Sequence, residues 1–166
     1  MTTDIFKAIG FGILILLFQV IVLNNIHLFG CATPLLFVYV ILNTPRNVPR
    51  WAPLVTGVLL GLTSDIFANT PGVAAASMTL VGFLQPMYLQ LFLNRESPEN
   101  LSPALHEFGF TKYLGYSFPL VLLFIVMFFT LEYFTFFNLQ QWVLYVVGST
   151  VLTYVIILTI EMIRKG

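Results

Sequence analysis

The sequence is short of charge. Asp, Glu, Lys and Arg make up 8% of its 166 residues, where a soluble domain carries roughly a quarter. Seven acidic and seven basic residues cannot cover a soluble globule of 18.7 kDa, which excludes a cytosolic enzyme and a nucleic-acid-binding domain. The formal net charge is zero, so no basic surface is available for a polyanion. Thiols are also scarce: the one cysteine, Cys31, cannot form an intrachain disulfide or a Cys-rich metal site. The sequence has no His-Glu-x-x-His and no Gly-rich phosphate loop, and nothing in it implies a cofactor. What it does have is apolar. Hydrophobic residues make up 58% and aromatics 16%, with a mean hydropathy of +0.94. That excludes disorder and predicts an integral membrane protein with little mass outside the bilayer.

The few charges divide the chain. Residues 8–45, 51–64, 66–94, 113–131 and 133–160 contain none. A spanning helix needs about 20 mostly apolar residues, and turn signals split the longer stretches. The predicted spans are about 5–23, 33–44, 53–68, 72–93, 113–136 and 139–163. The first ends at Asn24-Asn25, and its apolar run is too long for a cleavable signal. Thr33-Pro34 and Thr70-Pro71 each read as a cap residue followed by proline at the first helical position. The second span is short and alone could be re-entrant. Pro86 predicts a kink in the fourth span. Residues 94–112 form the one sizeable polar loop, with a short interfacial helix carrying Ala104, Leu105 and Phe108 on one face. The fold class is therefore all-α: one membrane domain of six transmembrane helices.

The basic residues set its orientation. Lys7 opens the first span, Arg46 and Arg50 lie between spans two and three, Arg95 and Lys112 between four and five, and Arg164 and Lys165 after the sixth. With six spans all seven fall on one side, which the positive-inside rule makes cytoplasmic. Both termini are then inside, and Trp51 and Trp142 mark the inner and outer boundaries.

Asp65 is the first candidate for function. It lies about 18 Å along the third span from Pro53, at 1.5 Å per residue. A carboxylate inside a membrane segment is costly, and points to function by default. The plainer reading is that Asp65 meets the interface and ends its helix just before Asn69-Thr70-Pro71. Gly57, Gly61 and Asp65 fall at i, i+4 and i+8, a small-residue face suited either to a partner helix or to packing within the chain. Glu132, near the far end of the fifth span, is the second candidate. No Lys or Arg falls on the side of these two carboxylates, so each is expected to face water, become neutral, or meet a cation from another protein. Gln19 and Gln85, within spans, are expected to hydrogen-bond between helices. Glu161 with Arg164 or Lys165 reads as a helix-end ion pair, and Ala8 with Gly12 as a weak small-residue pair.

The segment from Gly57 through Gly61 and Leu62 to Asp65, followed by Gly72 and another apolar helix, resembles the rod shape-determining protein MreD family. In that family a Gly-x-x-x-Gly-Leu-x-x-Asp helix precedes a short turn, a glycine and a small-residue-rich helix. The likeness is strongest over residues 54–84, and chain length and span layout are compatible elsewhere. It implies a non-enzymatic inner-membrane component of the bacterial cell-elongation machinery, acting with MreC, the MreB cytoskeleton and the peptidoglycan synthase. Gly57, Gly61, Asp65 and Gly72 would be the family's characteristic positions. The family is also thought to resemble the substrate-binding S-components of vitamin ECF transporters in fold.

Three functional expectations follow. The first is a scaffold in which Gly57, Gly61, Asp65, Gly72 and Glu132 meet an MreC-like membrane partner. The second is an S-component-like transporter subunit with an outward cavity lined by Asp65, Glu132, Trp142 and Asn24. The third, an intramembrane enzyme, requires Asp65 and Glu132 to form one site.

Overall fold

A computed structural model describes residues 2–22, 34–94, 96–98, 101–134 and 138–165, with side chains between Gly10 and Arg164. Seven helices and no strands occur among them: α1 (Thr2–Ile21), α2 (Val38–Leu42), α3 (Ala52–Ala68), α4 (Val73–Phe92), α5 (Leu105–Phe108), α6 (Phe110–Tyr133) and α7 (Leu139–Lys165). Two of these, over Phe110–Tyr133 and Leu139–Arg164, are long and apolar enough to cross a membrane. The apolar stretches Gly10–Ile21 and Ala52–Ala68 are shorter.

The distribution of side chains suits a lipid solvent. Leu14, Leu59, Ile66, Leu91, Val151 and Ile163 are exposed, while Gln19, Ser77, Gln85, Ser117, Thr153 and Glu161 are at most 1% exposed. A water-soluble domain sorts these types the other way. Hydroxyls inside helices bond back to the carbonyl one turn earlier, as Thr63 does to Leu59, Thr79 to Ala75 and Thr130 to Val126. That arrangement satisfies a polar group without water.

The consecutive helix pairs α3–α4 and α6–α7 run antiparallel. Gly61 faces Ala75 while Gly82 faces Pro53, which fixes the α3–α4 pair. Phe129 stacks on Tyr145 while Ser117 reaches Tyr154, which fixes α6–α7. The backbone of Arg46 bonds Leu101, and Arg164 stands by Glu161, which holds Leu105. Arg46, Arg50, Lys112 and Arg164 therefore gather at one end of the bundle, called here the basic end.

The second expected span is corrected in form. Its helix covers only Val38–Leu42, not 33–44. Thr33 lies outside the described residues. Before it, side chains of α1 and α7 take the Pro34 carbonyl and the Leu35 and Leu36 amides, while the Leu36 and Phe37 carbonyls accept the Tyr39 and Val40 amides in tighter turns. Leu35 through Leu42 except Val40 are at most 3% exposed, so this segment is the centre of the core. The other boundaries shift by a few residues. α6 starts at Phe110 because Gly109, at φ 76, turns the chain straight out of α5. The predicted interfacial helix exists as α5, but it docks into the bundle, with Ala104 and Leu105 buried. α4 continues past Pro86 and α6 past Pro119. Proline removes the bond to the carbonyl four residues earlier, and the one freed by Pro119, on Gly115, accepts the Tyr88 hydroxyl at 3.3 Å.

Candidate functional site

α3 ends at Asn69, in the left-handed conformation at φ 57, and α4 begins after Gly72 at φ 82. Glycine takes that second value without strain, but it brings no side chain to cap the new helix. Asp65 supplies the cap from the preceding helix. Its Oδ1 accepts the Ala74 amide at 2.9 Å, and its Oδ2 the Ala75 amide at 3.0 Å. The Thr70 hydroxyl donates to Oδ1 at 3.0 Å. Ala74 and Ala75 are the second and third residues of α4, where helix N–H groups lack intrahelical partners. The positive end of the helix dipole favours the carboxylate there.

This corrects two expectations. Thr70 does not cap α4; it supports the residue that does. Asp65 is 5% exposed and does not wait for a cation from elsewhere, because three donors of its own chain meet it. The reading by charge alone counted Lys and Arg as partners and left out backbone N–H groups.

The glycine face closes on the same hairpin. A Cβ on Gly61 would stand 2.4 Å from the Ala75 Cα, and one on Gly57 2.7 Å from the Met78 carbonyl oxygen. Gly82 completes the seam from α4, where a Cβ would stand 2.6 Å from the Pro53 carbonyl oxygen. The small-residue face is therefore covered by α4 and is not open to another protein's helix. Gly72 is exposed at the turn, with open space around its missing Cβ. Glu132 is exposed in the last turn of α6.

The remaining buried polar side chains follow the same logic. Gln19 donates to the Pro34 carbonyl at 2.6 Å and accepts the Leu36 amide at 2.7 Å. Thr153 accepts the Leu35 amide at 3.0 Å. Beyond the other end of α2, Tyr116 donates to the Leu42 carbonyl at 3.0 Å, and Gln85 reaches both the Thr44 carbonyl and Tyr116. Glu161 accepts the Leu105 amide at 3.0 Å and the Tyr39 hydroxyl, with Arg164 at 3.8 Å. Buried backbone groups without a helical partner are tolerated only where such partners exist. Each of these side chains serves a backbone group freed by a helix break.

Sequence reasoning placed Gln19 and Gln85 between helices and paired Glu161 with Arg164 or Lys165 at the helix end, and Arg164 does stand beside it, but it did not find the Leu105 amide and the Tyr39 hydroxyl as partners of Glu161. It missed Thr153, Tyr116 and Gly82. A signal for Glu161 was present: Val146, Thr150, Thr153, Ile157 and Glu161 recur at three- and four-residue spacing, and all are buried.

The outward cavity expected between Asp65, Glu132, Trp142 and Asn24 has lost one lining group, since Asp65 is engaged in the hairpin; Asn24 lies outside the described residues. A cavity of about 130 Å³ lies at the basic end, between residues 44–53 and α4. Among the described residues no group of three His, Cys, Asp or Glu could hold a metal ion. No protein-family model, curated protein or solved structure matches the chain.

Proposed function

We propose that this chain is a six-span component of the bacterial inner membrane, with both termini and its basic end in the cytoplasm, that works non-enzymatically in cell elongation. It resembles the MreD family, and its partner in this reading is an MreC-like membrane protein, with the MreB cytoskeleton and the peptidoglycan synthase reached through the same assembly. One observation carries the reading. The four residues that define the resemblance, Gly57, Gly61, Asp65 and Gly72, take part in one built feature, the closely packed and carboxylate-capped α3–α4 hairpin.

In this reading the hairpin is a rigid presenting element. The glycines and Asp65 act by holding it, and its exposed end offers Ile66, Phe67 and Asn69 to the partner near the outer face, with Glu132 at the same end of the bundle. Depletion in the host tests the function: loss of rod shape is the predicted result, and normal rods would refute it. Co-purification tests the mechanism. Ile66→Ala with Phe67→Ala should reduce recovery of the MreC-like partner without changing the melting temperature; undiminished recovery would move the contact elsewhere.

A further inference from the structure

We propose that the cavity at the basic end binds a phosphate group, carried by an anionic lipid of the surrounding leaflet. The cavity lies between the turn after α2 and the second half of α4. Arg46 and Arg50 line it on one side, Gln90 is among its polar wall groups, and Pro53, Leu89 and Leu93 form apolar walls. None of its lining residues is acidic. Guanidinium groups present forked donors that match phosphate oxygens, and two of them can share one anion.

The position also fits. Arg46 is anchored to the loop that follows α4, its guanidinium donating to the Ser97 carbonyl at 3.2 Å and its backbone amide to the Leu101 carbonyl at 3.2 Å. This fixes the turn that carries both arginines. At the edge of the cavity Trp51, next to Arg50, is exposed to 65%. A charged pocket with apolar walls and an exposed tryptophan at its edge takes a headgroup and leaves its acyl chains against the helices, whereas a free anion uses only the arginines. The site rests on the membrane reading and is independent of any protein partner.

The test is thermal melting of the full chain in neutral detergent, titrated with phosphatidylglycerol, phosphatidylcholine or inorganic phosphate. Phosphatidylglycerol should raise the melting temperature at concentrations at least tenfold below those needed for phosphatidylcholine. Arg50→Gln alone, and with Arg46→Gln, should remove that difference. Because Arg46 also anchors the loop, the single Arg50 variant keeps the result readable if the double variant folds poorly. A response to phosphatidylglycerol without one to inorganic phosphate supports the lipid as source. An equal response to inorganic phosphate at the same concentration supports the phosphate site and overturns the lipid assignment. Equal responses to the two lipids, or a preference that survives Arg50→Gln, overturn the site.

Discussion

Asp65 lies nine residues before Ala74 in the chain and 2.9 Å from its amide nitrogen. That contact, with its companion to Ala75, makes one carboxylate both the last turn of α3 and the cap of α4. It gives a buried acid in an apolar protein a structural task. It also means that substitutions at Asp65 act on the whole hairpin.

Asp65→Ala leaves the amides of Ala74 and Ala75 unbonded in a buried place, at roughly 1–3 kcal/mol for each group. Asp65→Asn keeps one carbonyl oxygen and should lose about half as much. Equilibrium unfolding in detergent, comparing both variants with the parent chain, measures the difference. Equal stability of Asp65→Ala and the parent would remove the cap from the account.

The glycines separate two kinds of cost. Gly61→Ala drives a methyl into the Ala75 backbone and should destabilise by about 1–3 kcal/mol through overpacking. Gly72→Ala meets no neighbour but must hold φ near 82, at a cost of about 1–2 kcal/mol. Gly10→Ala meets nothing and Gly12→Ala only ordinary contact with Val40, and alanine is the better helix former, so both should be neutral or stabilising by up to about 1 kcal/mol. The same unfolding measurement ranks the four. A Gly61→Ala as stable as Gly10→Ala would mean that α3 and α4 do not meet as described.

Gln19 tests the buried break before α2. Gln19→Leu preserves bulk but strands the Pro34 carbonyl and the Leu36 amide, for a loss of about 2–4 kcal/mol. Thr153→Val, which strands only the Leu35 amide, should lose about 1–3 kcal/mol. If Gln19→Leu proves neutral, the segment before α2 is held in some other way.

Glu161 fastens the loop between α4 and α6. Glu161→Ala releases the Leu105 amide and the Tyr39 hydroxyl together, so residues 94–112 should become more susceptible to protease while the rest of the chain stays protected. Tyr39→Phe keeps the Leu105 bond and should leave cleavage closer to that of the parent. Unchanged cleavage in Glu161→Ala would contradict this fastening.

Much of this was legible in the sequence. The charge-free stretches located α1, α3, α4, α6 and α7 within a few residues, because helices in apolar surroundings end where polar residues begin. The spacing of Gly57 and Gly61 marked a close-approach face, though not that α4 covers it, since a face reads the same whether its partner is inside or outside the chain. Asp65 stood out as costly, but its partners are main-chain amides and carry no side-chain signature. Residues 33–44 read as a short span because an apolar run follows Thr33-Pro34. Its first residues stay outside the helix where Gln19 and Thr153, distant in sequence, take the Pro34 carbonyl, which a longer helix would have bonded itself, and the Leu35 and Leu36 amides, which would have lacked partners in its first turn.

In the proposed function Asp65 serves the partner through the hairpin and not by touching the partner. The most direct test is paired measurement, on Asp65→Ala, Asp65→Asn and Gly61→Ala, of melting temperature and of the MreC-like protein recovered with each from host membranes. Recovery should fall in step with stability across all three, Gly61→Ala included, although its added methyl points into α4. An Asp65→Asn protein that melts like the parent yet recovers no partner would contradict it, because the carboxylate would then be a direct contact.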